Sequence, residues 1–115
     1  MRLRSDIWVS AFLRRAEIEG AFAVLRKRGA AEAGAIFIRL DRLDGTVALY
    51  GPAPQSEMGA DDPMRLFRRM HEADWSDALT VEDRLMREMK FDPDLWIVDL
   101  EDRQGRHFLD DALIG

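Results

Sequence analysis

No cysteine occurs anywhere in the chain, which excludes disulfides, thiolate metal sites, iron–sulfur clusters and a cysteine nucleophile together. Histidine is scarce. His71 and His107 stand far apart, with no serine and acid in recognisable order around them, so neither a catalytic triad nor a zinc site is expected. Uncharged apolar stretches run to only a few residues, and Arg2, Arg4 and Asp6 interrupt the start before a signal-like run could form. That pattern predicts no membrane span and no secretory leader, and the expectation is a cytoplasmic protein without membrane contact. Internal repeats and low-complexity tracts are also missing.

What is present suits one folded unit. With 115 residues, 47% of them apolar and 34% charged, the chain is long enough to bury a core and too short for two, so residues 1–115 are expected to form a single compact domain. The formal charge of -5 is unevenly placed: residues 1–57 carry +2 and residues 58–115 carry -7. The first 28 residues hold seven basic side chains against three acidic ones, a local anion-attracting region in an acidic protein. Fifteen of the seventeen basic residues are arginine and fourteen residues are alanine, which reads as codon bias rather than selection for bidentate phosphate recognition. A nucleic-acid-associated protein is a further alternative if Arg2, Arg4, Arg26, Lys27 and Arg28 share one surface, but no nucleic-acid partner is expected, because the acidic half would repel the polymer.

The periodicity predicts an α+β fold. Ser5 is placed to cap a helix over Asp6 to Glu19, with Gly20 to end it. A strand follows over Ala21 to Arg28, then a possible helical turn at Ala30 to Ala33. A hairpin is expected from Ala35–Leu40 and Thr46–Tyr50 across Asp44-Gly45. Residues 56 to 63 read as a loop, and Arg65 to Met70 fits strand and helix equally. Thr80 and Asp83 form a capping box before a second amphipathic helix, Val81 to Lys90. Asp92-Pro93 stops that helix, and Leu95 to Val98 reads as a strand covered on both faces, with a further short strand at His107 and Phe108. The expected architecture is two helices packed on a mainly antiparallel sheet of four or five strands.

Motifs that could carry chemistry are weak. The element order matches the core of nucleases that hold a divalent metal on a sheet, yet Thr46 to Tyr50 offers neither the carboxylate nor the lysine such a site needs. Asp92-Pro93-Asp94 puts two carboxylates on a stiff turn, which suits either a cation or simple turn capping. Arg28-Gly29 and Gly34 could present amides and a guanidinium to an anion, but the spacing is neither a P-loop nor a dinucleotide fingerprint. No cofactor, metal site or catalytic residue is assigned.

Four stretches together carry a resemblance: Asp6-Ile7-Trp8-Val9-Ser10-Ala11 with Arg14-Arg15, the segment from Arg28-Gly29 to Gly34-Ala35-Ile36-Phe37, Tyr50-Gly51-Pro52-Ala53-Pro54-Gln55, and Phe91-Asp92-Pro93-Asp94-Leu95-Trp96-Ile97-Val98. Over nearly its whole length the chain resembles a family of small bacterial proteins, domain of unknown function 1491. The resemblance implies a bacterial origin and a single compact domain. It implies no reaction, ligand or catalytic residue.

Two functional readings follow from the residues. One is a non-enzymatic binding or regulatory module whose partner, another protein or a second copy in a homodimer, meets an exposed edge at Tyr50, Gly51, Pro52, Pro54 and Gln55, with Tyr50 as aromatic anchor; in the competing reading of that stretch Tyr50 packs into the core. The other is a small hydrolase or transferase in which Arg14, Arg15 and Arg28 hold an anionic metabolite and Asp92 or Asp94 serves as base or metal ligand. It requires those groups to share a pocket.

Overall fold

The first helix, α1 (Ser5–Ile18), begins at the expected place for a different reason. Ser5 is not its cap: Arg4 holds that position, and no side chain caps the helix. The first-turn amides find backbone partners instead, Ser5 N–H on Glu32 O at 3.1 Å and Asp6 N–H on Ala31 O at 3.0 Å, which does the work of a cap. Freed from capping, the buried Ser5 hydroxyl donates to Gly34 O at 2.6 Å. The start of α1 is therefore docked on the 31–34 turn. The protein, seen here as a computed structural model, is described over residues 3–54 and 64–115.

Gly20, at φ +87°, reverses the chain after α1. Strand β1 (Phe22–Lys27) follows, then the hairpin β2 (Ile36–Asp41) and β3 (Val47–Pro52). The ambiguous segment is a strand, β4 (Phe67–Arg69), antiparallel to β3. Helix α2 (Ala78–Phe91) starts earlier than expected, because Asp77 rather than Thr80 caps it, accepting from Thr80 N–H at 2.8 Å. Strand β5 (Trp96–Glu101) forms where Leu95 to Val98 predicted one, starting a residue later and running three residues further. No strand forms at His107 and Phe108; Phe108 lies at φ +57°, outside any strand geometry. The last strand is β6 (Leu113–Ile114), reached through a 3-10 turn at Asp110–Ala112.

The sheet has six strands in the order β1-β5-β2-β3-β4-β6. It is mixed, which corrects the expectation of four or five mainly antiparallel strands: β2 with β5 and β4 with β6 run parallel. A long crossover carrying α2 separates β2 from β5, and such crossovers allow parallel pairing. Leu95 to Val98, inside the sheet beside β2, are buried to within 1% of their surface, as a strand covered on both faces requires.

Alternation sorts the strands onto two cores. On one face Trp96, Val98, Leu100, Ile36, Ile38 and Tyr50 meet Val9, Phe12 and Ala16 of α1 together with Phe108 and Leu109. On the other, Phe37, Val47, Leu49, Leu95 and Ile97 meet Val81 and Leu85 of α2. α2 covers only part of that second face. In register across β1, β5, β2 and β3 lie Val24–Asp99–Arg39–Leu49 and Phe22–Glu101–Asp41–Val47, so each row passes from core to solvent.

Candidate functional site

One corner gathers three of the four stretches that carried the resemblance. A Cβ on Gly29 would collide with the backbone of Asp94 and Leu95, and one on Gly34 would lie 2.6 Å from Asp94 O and 2.8 Å from Trp96 Nε1. Both positions need glycine for close backbone approach. Ala30 N–H donates to Asp94 O at 2.8 Å, and the Trp96 indole N–H donates to Ala30 O at 2.7 Å. Lys27 Nζ donates to Pro93 O at 2.6 Å and to Leu95 O at 3.0 Å. The loop after β1, the turn before β5 and the start of α1 are thus one rigid junction.

Beside this junction opens a cleft of about 440 Å³, lined by Asp6, Ile7, Val9, Ser10 and Leu13 of α1, Leu25 of β1, Arg28 and Trp96. Its volume falls within the range of small-molecule sites, roughly 300–1,000 Å³. The Arg28 guanidinium sits over the Trp96 indole, 5.4 Å from the ring centroid, a cation–π contact that fixes its direction. Among the described residues it pairs with no carboxylate. The carboxylate in the cleft, Asp6, is already taken: Arg4 bonds both its oxygens at 3.2 and 3.3 Å, and that hydrogen bonding holds its carboxyl below the usual range. A paired Asp6 with a lowered carboxyl is a poor general base.

The other expected residues are elsewhere. Arg15 turns to the C-terminal segment, on Asp110 at 2.6 Å and on Phe108 O at 3.2 Å. Arg14 is exposed one helical turn beyond Ser10 and outside the cleft lining. Asp92 and Asp94 sit on the outer side of the junction; Asp94 N–H donates to Asp92 Oδ1 at 3.0 Å, the turn-capping arrangement, and neither carboxylate lines the Arg28 cleft. Arg28 and Asp94 are therefore neighbours through backbone without sharing a pocket. Tyr50, offered as an exposed anchor, is core: 6% exposed, packed edge-on against His107 with ring centroids 5.4 Å apart, its hydroxyl pushed up by burial. β3 is no edge because β4 pairs with it through Tyr50, Gly51 and Pro52, and Ala53 N–H donates to Leu66 O. Pro54 is half-buried, and Gln55, like residues 56 to 63, lies outside the described residues.

Two features escaped sequence reasoning. The apolar wall of the cleft comes from Ile7, Val9, Leu13 and Leu25, whose spacing in the chain suits any buried face. On the opposite face Arg26 holds Glu82 through two bonds of 2.7 and 2.6 Å, while Arg39 approaches Glu82 at 3.2 Å and Arg26 approaches Asp99 at 3.8 Å. Burial raises the Asp99 carboxyl, whose Oδ1 accepts no hydrogen bond. Only the i,i+2 placement of Arg39 and Asp41 in an apolar strand hinted at this network. No group of three or more metal-ligating side chains occurs among the described residues, and none of their helices is long and apolar enough to cross a membrane.

The family model for proteins of unknown function DUF1491 matches residues 3–110. A crystal structure of a DUF1491 family protein from Caulobacter crescentus is 35% identical, with a TM-score of 0.81 and full coverage of both chains. An NMR structure of a Caulobacter crescentus family protein gives 36% identity and a TM-score of 0.80 over 100% of this chain and 99% of that one. The solution structure of protein Atu0922 from A. tumefaciens is 42% identical over 88% of this chain and 86% of its own, with a TM-score of 0.76. No curated protein matches. A family model spanning most of the chain, joined by solved relatives that share over a third of its residues across the whole fold, places this protein in the DUF1491 family.

Proposed function

We propose that this single-domain protein is a cytoplasmic, bacterial binding module without chemistry of its own, and that it takes a small metabolite bearing a carboxylate or phosphate on an apolar body. The observation that carries this reading is the Arg28 guanidinium, held over Trp96 at the mouth of the cleft and paired with no carboxylate among the described residues. Arg28 supplies the charged donors, Ile7, Val9, Leu13 and Leu25 supply the apolar wall, and the Ser10 hydroxyl adds a polar contact. Binding is favoured over catalysis because the acids expected as bases, Asp92 and Asp94, do not line the cleft and Asp6 is held ionised by Arg4. Nucleic acid fits poorly: Arg4 and Arg26 are tied to carboxylates and Lys27 to carbonyl oxygens.

A thermal-shift and calorimetric screen with aliphatic and aryl carboxylates, phosphosugars and nucleotides tests it. Stabilisation of about 2.7 kcal/mol is expected at a hundredfold excess over Kd. Arg28→Gln should weaken binding by about 10- to 100-fold, the worth of hydrogen bonds to a charged group, roughly 1.5–3 kcal/mol. Failure of every anion in the panel, or an Arg28→Gln variant that binds as well as the wild type, would refute the reading.

A further inference from the structure

The Arg28 cleft runs beside an open strand. β1 is the outermost strand on its side of the sheet, so one row of its N–H and C=O groups has no strand beside it among the described residues. Leu25 of that strand forms one wall of the cleft, and Ile7, Ser10 and Leu13 of α1 form the other. The ladder of β1 with β5 is regular from Phe22 to Leu25, and its irregularity falls between Leu25 and Lys27, towards Arg28. Lys27, the side chain that could guard this edge, is drawn back onto Pro93 O and Leu95 O. A compact apolar molecule could fill the walls, but the free row of β1 is matched only by the main chain of a peptide.

The groove is closed at its Arg28 end. Ser5 and Asp6 N–H donate to Glu32 O and Ala31 O, and Ala30 N–H donates to Asp94 O, so the 29–34 loop bridges the start of α1 to the turn before β5. An extended chain lying along β1 cannot continue through that bridge and must end there. Charge then fixes its direction. Arg28 pairs with no carboxylate among the described residues, Asp6 is held by Arg4, and Asp92 and Asp94 lie outside the lining. A chain parallel to β1 brings its terminal carboxylate to that guanidinium, whereas an antiparallel one would bring an ammonium to it. From Asp6 to Leu13 the helical wall covers about 10 Å, the length of about three extended residues. Alternate side chains of such a strand enter the groove.

We propose that the cleft takes the carboxyl-terminal end of a peptide, added as a parallel strand on the free edge of β1, with its terminal carboxylate on Arg28. Its last and third-last side chains are apolar and lie against Ile7, Leu13 and Leu25. The proposal rests on Arg28 as the anion donor of the cleft and goes beyond that reading in the body that carries the carboxylate, which is a chain end rather than a metabolite.

Acetylated tetrapeptides ending Val-Thr-Val and Leu-Ser-Leu, each as free acid and as carboxyl-terminal amide, are titrated into the full chain to about 5 mM and followed by amide NMR, which reads a Kd as weak as about 1 mM. The free acids are expected to bind at least about tenfold more tightly than the amides. Arg28→Gln should abolish that difference, with circular dichroism checking that the variant folds. Hydrogen exchange should slow at outward N–H groups between Phe22 and Leu25, which reads the added strand directly. Moving the apolar side chains by one place, to Thr-Val-Thr, turns them out of the groove and should weaken binding at least about tenfold. Amides that bind as well as acids, or peptides that bind without slowing exchange in β1, overturn the proposal. Small anions that bind where none of the peptides does also overturn it, while leaving the metabolite reading of the cleft intact. If neither class binds, both fall together.

Discussion

The two faces of the sheet solve the same problem unequally. The α1 face is roofed by α1 and by the C-terminal segment around Phe108 and Leu109, and among the described residues its core of fourteen holds the largest fully buried side chain, Trp96. The α2 face has a core of seven among the described residues, and its rows continue into Asp99, Arg39, Glu101 and Asp41, of which Arg39 reaches back to Glu82 of α2. Where a face is closed, polar groups survive only with complete hydrogen bonding, as Ser5 and the Trp96 indole do. Where it stays partly open, solvent lowers the cost of charge, and incompletely satisfied ions such as Asp99 persist.

Truncation in the two cores gives the largest expected effect. Trp96→Ala should destabilise by about 3–5 kcal/mol and Leu85→Ala, under α2, by about 2–4 kcal/mol, measured by urea unfolding with m-values compared. Equal losses, or a larger one at Leu85, would break the contrast between the faces.

Asp102 and Asp99 sharpen the comparison, because two carboxylates three residues apart shift in opposite directions. Asp102 is 7% exposed, and Arg106 bonds it at 3.0 and 2.9 Å, lowering its carboxyl. Its stabilisation is present above the unfolded value of about 3.8 and is lost as pH falls through the lowered folded value. Asp102→Asn should therefore cost about 2 kcal/mol at neutral pH, with the gap to wild type closing in acid. A gap that does not change with pH would show that Arg106 is not the cause.

Asp99 has the reverse sign. Its carboxyl is raised by burial, so the folded state binds its proton more tightly than the unfolded chain, and the contribution present at low pH is lost as pH rises through the raised folded value. Asp99→Asn should be neutral to stabilising at pH 7, by less than about 1 kcal/mol after screening by solvent, and should converge on the wild type below pH about 4. Destabilisation that grows with pH would mean that the Arg26 and Arg39 attractions outweigh burial.

Legibility in the sequence tracked how local each cause was. The helices, the β2–β3 hairpin and the strand after Asp92-Pro93 follow from apolar period, turn residues and helix stops, all within about a dozen residues. The cap of α1 was misassigned because its amides are satisfied by the 31–34 turn, far along the chain. β4 was ambiguous because its partners come from β3 and β6, and no three-residue segment signals pairing alone. Of the candidate site, Arg28, Gly29 and Gly34 were visible as a possible anion motif. That Trp96 would lie beneath Arg28, that Asp94 would face outward and that Tyr50 would be core depended on contacts between distant segments.

By itself the sequence determined both helices, the β2–β3 hairpin, the strands β1 and β5 and the family, because hydrophobic period, glycine and proline placement, and local word order are properties of short stretches. Strand order, the mixed sheet, the partner of each charge and the bare edge of β1 were decided only in the tertiary structure. The sixfold strand arrangement depends on which apolar faces can be buried together, and an arginine's role depends on whether folding brings a carboxylate within reach. Arg26 and Arg28 stand two residues apart, yet one is locked to Glu82 and the other lies over Trp96 with no carboxylate partner among the described residues.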